Sequence, residues 1–251
     1  MNFHIEGITE FIKPFNIKGK EILVLSDIHI PFHDKKALNI ALQYAKDCDT
    51  ILLNGDIIDF YGLSRFIKNP EKSFINHEIE IAKEFLQMLR SNFKGEILFK
   101  VGNHEDRLTT YIFNKAPALW GVENVTLKGL LGLNELNIKL IDSTQLMKVS
   151  SLIILHGNEI FAGAGMVNIA RSYFLKANEN ILFGHRHQSQ DYFGKSIDGK
   201  LKGSWAVACL CDLNPRYMPT NNWGHGFARV SKINSLEFDV KNYKIINGKV
   251  Y

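Results

Sequence analysis

Five short clusters in this sequence carry side chains that bind metal ions. They are Asp27-Ile28-His29, Gly55-Asp56-Ile57-Ile58-Asp59, Gly102-Asn103-His104-Glu105, His156-Gly157 and Gly184-His185-Arg186-His187. Five of the nine histidines lie within them. Imidazole mixed with carboxylate suits manganese, iron, zinc and related metals better than calcium or magnesium, which take oxygen ligands. A ligating histidine needs its other ring nitrogen fixed by a partner, which loops at strand ends can supply. The glycines beside these residues let the backbone turn sharply and come close to a metal or an anion. Any one cluster is ordinary, since a lone histidine is usually structural. Five in order, each closing an apolar run, form a strong signal.

The elements that must position these clusters can be read from the apolar runs. Glu21–Leu25, Thr50–Leu53, Ile97–Val101, Leu152–Leu155 and Ile181–Phe183 each lead into one cluster. Their length and Ile/Leu/Val content predict strands buried on both faces. Helical spacing predicts helices over Lys35–Lys46, Glu78–Leu89 and Met166–Leu175. The last would be entered through Ala162-Gly163-Ala164-Gly165, which could shape a helix N-terminus near His156 where an anion binds. Strand–helix alternation argues for an α/β sheet, α+β in some schemes. After Gln188 come four strand-like runs, Tyr192–Phe193, Ser204–Leu210, Gly226–Val230 and Leu236–Tyr243. No repeat or clear linker interrupts the chain, so one domain is expected over residues 1–251. The metal motifs would lie within 27–187 and a strand-rich tail over 188–251. Ligands gather at the carboxyl ends of strands in open α/β sheets, and every cluster falls there.

The composition fits a soluble protein. The chain has 251 residues, 45% hydrophobic and 22% charged, with a formal net charge of +4. That charge allows a nucleic-acid partner without requiring one, because phosphate-backbone binders usually concentrate their charge. No apolar run approaches the roughly 18 residues of a membrane span, so no membrane partner is expected. Met1–Phe15 does not read as a signal peptide. Three cysteines, Cys48, Cys209 and Cys211, are too few for a disulfide framework and point to a reducing, cytoplasmic setting. Cys209 and Cys211 read as small buried side chains on one face of a strand.

Taken in order, D-x-H, G-D-x-x-D, G-N-H-[DE], H and G-H-x-H, the clusters resemble the pattern of the calcineurin-like metallophosphoesterase superfamily. The resemblance runs from Asp27 to His187. It implies a four-layer α/β/β/α sandwich of two mixed sheets, of the metallo-dependent phosphatase type, with the tail completing the second sheet. It also implies two divalent metal ions. Asp27, His29 and His187 would hold one, Asn103, His156 and His185 the other, and Asp56 would bridge them. His104 would protonate the leaving oxygen, with Asp59 orienting its ring. Manganese is the foremost metal on this reading, and iron, zinc or nickel also accept the set. Two cations about 3.5–4 Å apart would neutralise a phosphate ester and generate hydroxide at neutral pH. A histidine near its natural pKa can then supply a proton. Glu105 reads as a maker of local hydrogen bonds rather than a ligand.

The surroundings bear on the substrate. Protein serine/threonine phosphatases of this superfamily carry arginine after the second aspartate of G-D-x-x-D, whereas Phe60 stands here. Arg65, Arg107 and Arg186 are the candidate substrate-binding cations, since guanidinium forks match phosphate oxygens. The segment Phe60–Lys72 mixes aromatic and basic residues that could rim the site or anchor in the core. The tail run Cys209–Pro219 with Asn222–Phe227 resembles that of metallophosphoesterases from bacteriophages and prophages, which tilts the substrate toward nucleotides or nucleic acid. Three functions stand open: a phosphodiesterase or nuclease, a phosphomonoesterase on a metabolite or protein, and a metal-binding scaffold without catalysis. His4, His33, His77 and His225 match no motif.

Overall fold

The computed structural model describes residues 12–66, 69, 71, 74–161, 163, 166–197 and 199–251. Its first half contains strands β1 (Phe15–Asn16), β2 (Glu21–Leu25), β3 (Thr50–Asn54), β4 (Glu96–Lys100) and β5 (Ile138–Ile141). Helices α1 (Lys35–Leu42), α2 (Ile75–Asn92), α3 (Asp106–Lys115) and α4 (Leu127–Leu131) lie between them. Then follow β6 (Met147–Val149), β7 (Leu152–Leu155), helix α5 (Ile169–Ala177) and β8 (Asn180–Phe183). The tail adds β9 (Gln190–Lys195), β10 (Leu201–Ala206), β11 (His225–Lys232), β12 (Phe238–Ile246) and β13 (Lys249–Val250).

These strands make two mixed sheets, ordered β1-β6-β7-β8-β10-β9 and β13-β12-β11-β2-β3-β4-β5. In the second, β2 to β5 run parallel, and β11 lies antiparallel to β2. The alternation of side chains along each strand explains the layering. Ile22 and Val24, Leu52 and Leu98 pack on Ile154, Leu182 and Val207 of the facing sheet. The opposite faces, through Leu23, Leu25, Ile51 and Phe99, pack on Leu38 of α1 and on Leu86 and Leu89 of α2. On the far side Tyr173 of α5 covers Ile181 and Phe183. The result is the expected α/β/β/α sandwich, with the strand runs buried on both faces.

The elements differ from expectation in instructive places. The run Lys35–Lys46 is α-helical only to Leu42 and continues as a tighter 3₁₀ turn, Gln43–Asp47. Helix α2 extends beyond Glu78–Leu89 at both ends. Helix α5 begins at Ile169 rather than Met166, where Asn168 accepts from the Arg171 N–H and Gln190 accepts from Ile169. Those caps occupy N–H groups expected to receive an anion. Residues 162, 164 and 165 of the glycine-rich entry, residues 67, 68, 70, 72 and 73 of the rim, and residues 1–11 with His4 lie outside the described residues. The tail expected to complete the second sheet divides between both: β9 and β10 extend one, and β11, β12 and β13 the other. The expected strand Ser204–Leu210 stops at Ala206, and Cys209 and Cys211 instead form single bridges to His225 and His33. Both thiols are buried as expected. Among the described residues no helix is long and apolar enough to cross a membrane.

The inter-sheet layer yields a stability prediction. Leu52 is 0% exposed and Leu201 is 68% exposed. Leu52→Ala should cost about 2–5 kcal/mol in urea unfolding, and Leu201→Ala no more than about 0.5 kcal/mol. Equal costs for the two would contradict the layering.

Candidate metal centre

Five of the seven residues expected as ligands leave the strands on unusual backbone. Asp27 (φ 55°), His29 (53°), Asp56 (52°), His185 (64°) and His187 (57°) all adopt left-handed geometry. For a residue with a Cβ this costs of order ~1–3 kcal/mol and persists only where the surroundings enforce it. The enforcing bonds are visible. The Asp27 N–H donates to the Gly55 carbonyl at 3.1 Å, and that of His29 to Asp56 at 2.9 Å. The His185 N–H donates to the Asp27 carboxylate at 2.9 Å. Glu105 accepts from the N–H groups of Asp56 (2.9 Å), Ile57 (2.7 Å), Ile58 (3.0 Å) and Gly102 (2.8 Å), so one buried carboxylate fixes the whole turn after β3. Glycine is required at 102 and 184, where a Cβ would collide with the carboxylates of Asp56 and Asp27 respectively.

The side chains converge. His187 Nε2 lies 3.1 Å from Asp27 Oδ1, and His29 Nε2 lies 3.2 Å from His187 Nε2. His29 Nε2 is 3.9 Å from both Asp27 Oδ1 and Asp56 Oδ2. On the other side His156 Nε2 is 3.2 Å from Asp56 Oδ2 and 3.3 Å from Asn103 Oδ1. The His185 ring centre is 5.3 Å from that of His156. Four groups of potential ligand atoms occur among the described residues, His29-His187-Cys211, His29-Asp59-His104, Asp27-His29-Asp56 and Asp56-His156-His185, the last two sharing Asp56.

The tautomers favour cations at these points. The His29 Nδ1–H donates to the Asp59 carboxylate at 3.0 Å, and the His156 Nδ1–H to the Asn54 carbonyl at 2.8 Å. A neutral imidazole so tethered presents a lone pair at Nε2. These Nε2 atoms face carboxylate oxygens and, for His29, a second imidazole nitrogen, contacts that need either a proton or a cation between the two atoms. Asp27 Oδ1 is buried without a hydrogen-bond partner. A divalent cation would satisfy each of these atoms, and the residues present fit it.

The charges give the same reading. Burial raises the carboxyls of Asp27 and Asp56, but their imidazole neighbours, His187 and His156 foremost, overcome it and hold both acids well below the usual range. Burial lowers His156, yet Asp56 pushes it up to about 10. Burial opposes His187 too, and Asp27 brings it up to about 9. His185 falls to about 4 through burial and the neighbouring His156. Two buried carboxylates therefore attract positive charge strongly, and bound cations would supply it in place of protons.

His104 stands beside these groups, its Nε2 3.8 Å from Asp56 Oδ2. Its Nδ1–H donates to the backbone carbonyl of Asp59 at 2.9 Å. The Asp59 carboxylate, expected to orient His104, is 3.4 Å from that nitrogen and 3.0 Å from His29 Nδ1, so it serves both rings. Among the arginines, Arg107 reaches the cluster, donating to the Asp59 carbonyl at 2.9 Å and to His104 Nε2 at 2.9 Å. Arg65 is exposed and lies 5.3 Å from the Phe66 ring centre. Arg186 is half-buried, and its charge is felt by His185 and Tyr173. Phe60 is fully buried in the core beneath the site.

Sequence reasoning missed the supports behind the ligands. Lys100, 0% exposed, donates to the carbonyls of Asp142, Ser143 and Gln145 and pairs with Glu159 at 3.2 Å. Glu159 in turn accepts from the N–H groups of His156 (3.1 Å) and Gly157 (2.6 Å). A lysine in the apolar run before Gly102 was the available signal. Cys211 Sγ lies 3.8 Å from His187 Nδ1, and the Trp223 ring centre 4.2 Å from that of His187.

Comparison with known proteins adds an independent line. Residues 20–207 match the family model described as calcineurin-like phosphoesterase. The Gene 54 protein of Mycobacterium phage L5 is 27% identical over 226 residues, covering 84% of this chain and 88% of that protein. Among solved structures, a single mutant of Vps29 from Entamoeba histolytica is 15% identical, with a TM-score of 0.47 over 92% of this chain and 96% of that one. Vacuolar Protein Sorting 29 from Cryptosporidium parvum is 14% identical, with a TM-score of 0.49 over 93% and 95%.

The buried pair under His156 is testable. Lys100→Met should weaken metal binding at the His156 side about 10–100-fold in a calorimetric cobalt titration, as loss of an outer partner does. Unchanged binding would show that Lys100–Glu159 does not position His156.

Proposed function

The chain belongs to the calcineurin-like phosphoesterase family, and we propose that it is a two-metal hydrolase of phosphodiesters, acting on nucleotides or nucleic acid. The observation that carries this reading is the placement of Asp56 between His29, whose Nε2 is 3.9 Å away, and His156, whose Nε2 is 3.2 Å away, in two groups of potential ligand atoms that share it. Asp27, His29 and His187 would hold one cation, and Asn103, His156 and His185 the other, with Asp56 shared. Manganese leads among the metals, followed by iron, zinc and nickel, because the set mixes imidazole with oxygen. Bound there, two cations act as Lewis acids on the phosphoryl oxygens and make a water nucleophilic at neutral pH.

The chain's own residues do the rest. His104 lies beside Asp56 and is the group placed to protonate the leaving oxygen. Burial lowers its pKa, but the carboxylates of Asp56 and Asp59 outweigh burial and raise it, which favours the acid form. In the resting arrangement Nδ1 carries the proton and Arg107 donates to Nε2. A substrate phosphoryl group competes for the Arg107 guanidinium, and with Arg107 drawn away Nε2 can take a proton from solvent, as its raised pKa favours, and pass it to the leaving oxygen. The Asp59 carboxylate tethers both His29 and His104.

The diester preference rests on charge. A monoester dianion needs more positive charge than a diester monoanion. The arginine that protein phosphatases carry after the second aspartate is replaced by buried Phe60. Arg107 is the guanidinium in contact with the catalytic group. The likeness of the tail over Cys209–Phe227 to phage metallophosphoesterases supports nucleotides or nucleic acid as the source of the diester.

With manganese added, the wild type should hydrolyse bis-nitrophenyl phosphate faster than nitrophenyl phosphate. Asp56→Asn should lower that activity by at least about a thousandfold, since it removes the charge shared by both cations. His104→Ala should cost about 10²–10⁴-fold on an ester with an alkyl leaving group. It should cost less on the nitrophenyl ester, whose leaving group departs as a stable anion. Full activity in Asp56→Asn would refute the two-metal reading, and a monoester preference would refute the diester part.

A further inference from the structure

We propose that Tyr217 and Trp223 form an aromatic platform beside the metal cluster that stacks the heteroaromatic base of a nucleoside phosphate ester. The inference rests on the phosphoesterase reading above and names the part of the substrate that this site recognises.

Both rings come from the segment between Cys211 and β11. The Trp223 ring centre is 4.2 Å from that of His187, at an interplanar angle of 69°. Tyr217 follows at 6.3 Å from Trp223. The Tyr217 and Trp223 rings meet at 64°, and Tyr217 is 74% exposed, so its ring is open to a ligand. The two rings lead outward from a proposed metal ligand, His187, to an exposed phenol.

The segment is pinned. The Asn221 side chain donates to the carbonyls of Leu213 (2.8 Å) and Met218 (2.9 Å), and accepts from the Trp223 N–H at 2.8 Å. The Gly224 N–H donates to the His187 carbonyl at 2.9 Å, tying the segment to the strand-end turn that carries the ligand. Isolated exposed aromatics are common on protein surfaces. An aromatic pair held by side-chain and backbone bonds, with one ring against a proposed ligand of the metal cluster, is a surface that can receive another flat ring. Stacking tolerates any base because every base has a π-face. The platform therefore selects nucleosides over aliphatic alcohols rather than one base over another. The same chemistry is presented by a free nucleotide ester and by a single-stranded nucleic acid.

The test uses two diesters with the same leaving group, thymidine 5′-(4-nitrophenyl) phosphate and methyl 4-nitrophenyl phosphate, on manganese-loaded wild type, Tyr217→Ala and Trp223→Leu. The wild type should prefer the nucleoside ester by about tenfold or more in kcat/KM, mainly through KM, which matches the usual strength of one base stack. Each variant should bring that ratio toward one, and the ratio cancels any general effect on the metals. A wild-type ratio near one, or a ratio unchanged in both variants, would overturn the platform. Oligothymidylate as a third substrate separates a strand from a free nucleotide, and either preference supports the platform when Tyr217→Ala weakens it. If neither ester is hydrolysed, the phosphoesterase reading fails on its own. Calorimetric binding of adenosine 5′-monophosphate against ribose 5-phosphate then still decides the platform, with tighter binding of the former, lost in Tyr217→Ala, as the supporting result and equal binding as the overturning one.

Discussion

The Asp56 carboxylate is the group around which the rest of the site is arranged. It is buried, negatively charged and close to His29, His104 and His156 at once. Taking such a charge out of water costs several kcal/mol unless opposite charge and hydrogen bonds replace the solvent. Asp27 repeats the problem a short distance away, with one oxygen left without a hydrogen bond. Two sheets meet here because only their combined strand ends can bring enough imidazoles to answer two buried acids. Asp27, His29, Asp56, Asn103 and His104 come from ends of the seven-stranded sheet, and His156, His185 and His187 from the six-stranded one.

That requirement explains the cost seen in the backbone. Five of the expected ligands sit in left-handed geometry, where a Cβ is unfavourable. Strain of this kind needs a rigid surround, and the supports are themselves polar and buried. Glu105 gathers four N–H groups, and burial together with Asp56 pushes it up to about 7. Lys100 and Glu159 hold the turn that carries His156. Glu78 of α2 accepts from Tyr61 and Gly62 and steadies the turn that follows Asp59. Each is an ionisable group spent on backbone rather than on solvent, which is reasonable only where the geometry of a neighbouring side chain has to be held.

The fold and the clusters that converge at the candidate site were legible in the sequence for one physical reason. Strands buried on both faces appear as unbroken apolar runs, and each run here ends in its cluster. Short or half-exposed elements leave no such trace, so β1, β6 and α3 went unread. The division of the tail between two sheets depends on pairing across the whole chain, with β11 lying against β2, and no local pattern records that. The supports behind the ligands were hidden for a related reason. Lys100 looks like any strand residue until Glu159 is folded against it. Trp223 is far from His187 in sequence and meets it only through the turn at Gly224. Arg107 was one of several arginines until its place in the first turn of α3 brought it to Asp59.

The position after Asp59 shows how one substitution reorganises a site. Phe60 has left-handed backbone and is fully buried in the core, so it offers a phosphate neither charge nor hydrogen bond. The positive charge arrives instead from α3, where Arg107 lies three residues after His104 and binds both it and Asp59. An arginine on the strand-end loop would grip the substrate independently of the proton donor. Here the guanidinium occupies the very nitrogen that must become protonated. In the proposed reaction, binding of the phosphoryl group and activation of His104 are then one event, because the same hydrogen bond must break for both. The aromatic segment approaches the cluster from another side, with Trp223 against His187.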